Sequence, residues 1–138
     1  MKAINVDQPF AELIISGRKS IELRKTNTSH RGPLIIHATQ TVLYDRCQKF
    51  RLDPETLPAG LIIGVVNLIE VIKFDQKLWD ELRDQHLSDA RTPGLFKYGW
   101  RLTKPLRLAE PVYVRALRGM FAVPEETATL IQSLIQNR

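Results

Sequence analysis

The chain has 138 residues, is 43% hydrophobic and 25% charged, and carries a formal net charge of +5. That length allows one domain around one core, and no apolar run approaches the roughly 18 residues of a membrane span. A single cysteine, Cys47, excludes an internal disulfide, and no basic-then-apolar leader precedes Asp7, Gln8 and Pro9, so a cytoplasmic protein is the simplest expectation.

Residues 7–16 read as a first helix. Asp7 can cap it, Pro9 suits its first turn, and Glu12 favours the positive end of the helix dipole. Phe10, Leu13 and Ile14 give a packed stripe, and Gly17 is the stop signal. Gln8, at the helix start, is either a capping group or an amide aimed into a pocket. Residues 19–26 read as a strand. Glu22 and Arg24 are two apart and share a face, while Ile21 and Leu23 fill the other, core-side face. A cation, an anion and a second cation at Lys19, Glu22 and Arg24 thus crowd into six residues. Such a group is either a surface ion-pair cluster worth under about 1 kcal/mol or a binding site.

After a polar loop, Pro33 to Thr39 reads as a buried strand. It holds His37, a core histidine or a ligand contact, and ends at Thr39, a hydrogen-bond donor. Residues 41–51 suggest a short helix with Leu43, Cys47 and Phe50 on one side, followed by a Pro- and Gly-containing loop. Residues 61–74 are the longest β signal, and Gly64 marks a bulge or bend. Glu70 lies in a run that is apolar on both faces. It is paired with a cation (Lys19 and Arg24 are natural partners), or has a pKa raised by desolvation, or stands in solvent at the strand end.

Residues 76–87 look like an amphipathic helix with Trp79, Leu82 and His86 on one side, and His86 is expected to be a surface residue. Thr92-Pro93-Gly94 breaks the chain, and Leu95 to Leu108 reads as strand or hairpin, interrupted at Lys104-Pro105. Tyr98 and Trp100 share a face. Flanked by Lys97 and Arg101, they can stack bases beside phosphate-binding cations, or pack in the core. Val112 to Leu117 and Gly119 to Val123 read as final strands, and Pro124-Glu125-Glu126 opens a last helix.

The charge is unevenly spread. Residues 97–118 hold Lys97, Arg101, Lys104, Arg107, Arg115 and Arg118 against Glu110 alone, and residues 18–31 hold Arg18, Lys19, Arg24, Lys25 and Arg31 against Glu22 alone. If the two segments meet in space they make a polyanion-binding face; otherwise they are cations that guard strand edges. Three scattered histidines and one cysteine give no metal-ligand spacing. Phosphate-binding glycine loops and a G-x-S-x-G elbow are also missing, so no cofactor is expected.

Gly17-x-Lys19-x-x-Glu22-x-Arg24, preceded by the Gln8-Pro9 helix, resembles the G-x-K-x-x-E-x-R signature of the ASCH domain family. All four positions match. The likeness extends to the strand ending near Glu70 and the aromatic strand around Trp100, so one ASCH-like domain is expected over residues 1–138. The resemblance implies an α+β fold, a small PUA-like mixed β-barrel with peripheral helices. It also implies binding of RNA or of a nucleotide, modified or not, in a basic cleft beside the motif. Lys19, Glu22 and Arg24 are the motif's ligand-binding residues; Gln8, His37, Tyr98, Trp100 and Arg101 join them from the residue-by-residue reading. Some small relatives of the family are amidohydrolases acting on N4-acetylcytidine through a lysine, a threonine and a glutamate. Carried over, Lys19 matches the lysine and Glu70 the glutamate, with Glu22 at the threonine position, where it supplies no hydroxyl; Ser20 lies on the same strand face as Glu22. On that alternative Lys19, Glu22 and Glu70 are the catalytic set. A third reading is a protein-interaction module using the basic face. The oligomeric state stays open.

Overall fold

The apolar runs become the middle of one sheet. In the computed structural model, which describes residues 1–136, the strands are β1 (Lys2–Gln8), β2 (Ile21–Arg24), β3 (Gly32–Val42), β4 (Leu61–Lys73), β5 (Tyr98–Val112) and β6 (Phe121–Ala122). Their order is β2-β5-β4-β3-β1-β6. β1 and β3 are parallel, and the other neighbours are antiparallel. The helices are α1 (Phe10–Ile15), α2 (Tyr44–Phe50), α3 (Gln76–Glu81), α4 (Arg83–His86) and α5 (Glu125–Gln136). The fold is therefore mixed α+β. No helix among the described residues is long and apolar enough to cross a membrane.

β3 and β4 are apolar on both faces because both faces are covered. Leu34 and Ile36 pack with Ile4, Val6, Ile14 and Trp100, whereas Ile35 joins Ile62, Leu108, Phe121 and Ile131 on the other side. This is strand alternation with a core on each face. Gly64 sits at a register shift between β4 and β5. A Cβ there would lie 2.5 Å from the Leu106 carbonyl oxygen and 2.6 Å from Ile15 Cδ1, so the close approach of β5 and α1 requires glycine.

The expected barrel is not closed by a ladder. Among the described residues, β2 pairs only with β5, and β1 pairs with β6 only at Lys2 and Ala3. The gap between β2 and the rest of β1 is spanned by a side chain, with Arg24 Nη1 donating to the Asn5 carbonyl at 3.1 Å.

Several elements differ from expectation. Residues 2–8 form a strand, whose Ile4 and Val6 alternate with Asn5 and Asp7, and α1 begins only at Phe10. Asp7 does not cap a helix; its carboxylate accepts from the Thr39 hydroxyl at 2.6 Å. β5 continues through Lys104-Pro105, where the pairing skips two residues opposite Val66 and Lys104 takes a φ of 51°. A bulge tolerates proline because no ladder N–H is needed there. Residues 113–117 are not a strand, although Val114 is buried and Tyr113 exposed as alternation predicts. The expected helix over 76–87 is split at Leu82 into α3 and α4, and Asp75 caps the first by accepting from the Leu78 N–H at 2.8 Å.

Candidate functional site

The motif is a turn followed by an edge strand. Gly17 ends α1 at a φ of 85°, in the left-handed region that glycine enters without a Cβ penalty. The Lys19 N–H then bonds the Leu13 carbonyl at 2.9 Å, which turns the Lys19 side chain inward. It is only 3% exposed. Its ammonium donates to the His86 carbonyl and lies 5.4 Å from the centre of the Phe10 ring. Burial pushes the Lys19 pKa below the usual lysine range, and the nearby Glu22 carboxylate opposes that shift.

Glu22 and Arg24 share the face that alternation assigned them. Glu22 is buried, accepts from the Leu23 N–H at 3.2 Å, and lies 3.6 Å from Arg24 Nη1. The Arg24 guanidinium sits 5.3 Å from the centre of the Trp100 ring. Trp100 is itself fixed by donation from its indole N–H to the Thr26 carbonyl at 3.1 Å.

Lys19, Glu22 and Arg24 line a cleft of about 490 Å³. One wall is the β1 edge at Asn5, Val6 and Asp7, and another is Phe10 with Leu43 and Arg46 of α2. The segment from His86 to Phe96 closes the remaining side. The ionisable lining residues are Lys19, Arg24, Arg46, Asp7, Glu22 and Asp89, besides His86. Three cations face three anions, so the expected basic cleft is in fact charge-balanced. Arg46 bonds Asp89 at 2.9 Å, which draws α2 against the opposite wall.

The ASCH domain family model matches residues 4–117. The chain belongs to the ASCH domain family. Its fold is similar to the crystal structure of ASCH from Zymomonas mobilis, with a TM-score of 0.71 and 16% identity over 96% of this chain and 94% of that one. Two single-substitution variants of the Zymomonas mobilis protein give TM-scores of 0.69 at 18% identity, covering 96% of this chain and 96% or 94% of theirs. No curated protein matches the chain.

Around this ASCH cleft the predicted residues divide. Lys19, Glu22 and Arg24 line it. Trp100 supports it from behind; at 2% exposed it offers no open face for a base and instead holds Arg24. Tyr98 is half-buried against the core and opposes Arg24 in the β2–β5 ladder. His37 is buried outside the cleft, with its Nδ1 2.9 Å from Asn5 Oδ1. That contact orients a lining residue, and burial pushes the His37 pKa down. Gln8 is fully buried and is the capping group. Its carbonyl accepts from the Glu12 N–H and its amide donates to the Pro58 carbonyl, both at 2.9 Å.

Glu70 is exposed and pairs with Arg101 at 3.4 Å, not with Lys19 or Arg24. Arg101 also donates to Gln85 at 2.9 Å. Both stand outside the cleft lining. The reason is register: Glu70 faces Arg101 in the β4–β5 ladder, and β5 separates β4 from β2.

His86 is the main correction. Expected at the surface, it is fully buried and stacked on Trp79 with ring centres 4.0 Å apart. Its Nδ1 accepts from the Ser88 N–H at 3.0 Å, so its Nε2 carries the proton and donates to the Trp79 carbonyl at 2.8 Å. Burial lowers its pKa, and the Lys19 charge lowers it further. The sequence reading also missed Asn5, Asp7, Phe10, Arg46, Asp89 and Phe96 as lining residues. The Ile4-Asn5-Val6-Asp7 alternation was a readable strand signal for the first two. The others come from elements whose packing partner no local pattern reveals.

Proposed function

We propose that the ASCH cleft binds one nucleotide unit, free or carried on RNA. The observation that carries this reading is the pairing of a buried ammonium and a buried carboxylate, Lys19 and Glu22, on one concave surface of ligand size. The Lys19 ammonium uses one proton on the His86 carbonyl and keeps two donors for ligand oxygens. Glu22 accepts only, so it selects a base edge that presents N–H groups, as carboxylates do with the cytosine amino group. Balanced charge suits a heterocycle better than a polyanion. On this reading the curled sheet acts as a PUA-like barrel, with the β2–β1 gap as its ligand mouth and Arg24 as its side-chain bridge.

The amidohydrolase reading retains one favourable feature: a desolvated lysine with a lowered pKa is what base activation of a hydroxyl needs. It lacks Glu70 in the cleft and has Glu22 where a hydroxyl nucleophile belongs.

Calorimetric titration with the four nucleoside monophosphates and N4-acetylcytidine, followed by mass analysis of the products, tests both readings. Binding of at least one nucleotide, weakened about tenfold or more in Glu22→Ala, is the expected result. An absence of nucleotide binding, or affinity indifferent to Glu22→Ala, overturns the proposal. Release of cytidine that disappears in Lys19→Ala establishes the enzyme instead.

A further inference from the structure

We propose that Arg46 and Lys49 form a subsite for a phosphate group at the edge of the cleft, and that the carboxylate of Asp89 fills it as a built-in competitor. The subsite is separate from the Lys19–Glu22 pair and does not depend on which ring occupies the cleft.

Arg46 and Lys49 are three apart on α2, so they share a face of that helix. Both donate to one atom, Asp89 Oδ2, with Arg46 Nη1 at 2.9 Å and Lys49 Nζ at 3.2 Å. Asp45 is the other anion beside them, its carboxylate 3.8 Å from Arg46 Nε and beyond hydrogen-bonding distance. Arg46 and Asp89 both line the cleft. Two cations thus converge on a single oxygen of a monoanion.

That ion pair is not what holds the Asp89 segment in place. The Ala90 carbonyl accepts from the Trp79 indole N–H at 2.9 Å and from Arg83 Nη1 at 2.8 Å. The Arg91 carbonyl accepts from the Gln76 amide at 2.8 Å, and the Ala90 N–H bonds Ser88 Oγ at 3.1 Å. The backbone after Asp89 is therefore tied to α3 and α4 without help from the Asp89 side chain. That side chain is 57% exposed and can swing into water, and exposed ion pairs of this kind are weak.

A phosphate dianion matches the two cations in charge and offers a separate oxygen to each, and a guanidinium takes such a group with two parallel bonds. Asp89 has one charge and uses one oxygen. A phosphate therefore displaces it, whereas a neutral ligand leaves the contact between α2 and the Asp89 segment closed.

NMR titration of the protein with inorganic phosphate at low ionic strength tests this. Saturable shifts are expected at the Arg46 side-chain Nε and at the backbone amides of Ser88, Asp89 and Ala90. Asp89→Ala removes the competitor and should tighten phosphate binding about tenfold. Adding Arg46→Gln to Asp89→Ala should abolish that gain. Circular dichroism confirms that these changes leave the fold intact. Acetate, which resembles the Asp89 side chain, should bind more weakly than phosphate. Phenyl phosphate joins the same group to a ring: tighter binding than inorganic phosphate assigns the subsite to a ligand that reaches into the cleft, and equal binding assigns it to the free anion. No saturable shift in either protein, equal phosphate affinity with and without Asp89, or a gain that survives Arg46→Gln overturns the proposal. No nucleotide enters the titration, so its outcome is independent of the nucleotide reading.

Discussion

Replacing Lys19 with methionine separates a binding role from a structural one. Lys19→Met keeps most of the stem's volume and removes the buried ammonium. The lost charge-assisted bond to the His86 carbonyl costs about 1.5–3 kcal/mol. Relief of the ammonium's desolvation returns several kcal/mol for a group this buried. Glu22 keeps Arg24 at 3.6 Å and is not left alone. The opposing effects leave a net change under about 2 kcal/mol in either direction. The pH profile carries a second signature. Because burial lowers the Lys19 pKa below 10.5, the unfolded chain binds more protons than the folded one between the lowered value and 10.5. The Lys19 contribution to stability therefore rises with pH across that window, and that contribution should vanish in Lys19→Met. Urea denaturation at neutral and alkaline pH, run beside nucleotide titration, reads both effects. The expected result is a nearly unchanged midpoint at neutral pH, an alkaline limb that lacks the Lys19 contribution and keeps the fall with pH that burial of the Cys47 thiol imposes, and binding weakened about tenfold or more. A loss above about 4 kcal/mol would make Lys19 a structural linchpin, and undiminished binding would remove it from the site.

Three further outcomes follow from the same geometry. His37 and His86 both have lowered pKa values from burial, so the unfolded chain gains protons first as pH falls below about 6.5; melting temperature should drop over that range, and a flat profile contradicts the buried neutral assignment. Glu70→Gln breaks a largely exposed pair with Arg101 and should change stability by under about 1 kcal/mol with nucleotide affinity unaltered; a tenfold loss of affinity would return Glu70 to the site. Gly64→Ala places a Cβ 2.5 Å from the Leu106 carbonyl oxygen, which cannot rotate away, so urea titration should show a loss of about 1–3 kcal/mol or more, and a neutral result would show that β4 and β5 separate easily.

Local pattern alone determined a good part of this protein. Period-two alternation placed Glu22 and Arg24 on one face and Ile21 on the other, and the structure keeps that assignment. Gly17 as helix stop, Gly64 as bulge and the apolar runs of β3 and β4 were equally legible. So was the family, because its motif is contiguous. What the sequence left open is what covers each face. Glu70 was open between a cation on the motif strand and solvent at its strand end; strand order inserts β5 between β4 and β2, which leaves it exposed beside Arg101. His86 looked exposed until Trp79 and Phe74 closed over it. The basic segments suggested a basic cleft, yet Asp7 and Asp89, distant in the chain, join Glu22 in its lining and balance Lys19, Arg24 and Arg46. Alternation fixes the direction of a side chain relative to its own backbone. Only the tertiary packing of remote elements decides whether that direction leads to water, to the core or to a charge of the opposite sign, and with it the burial and pKa of the groups in the cleft.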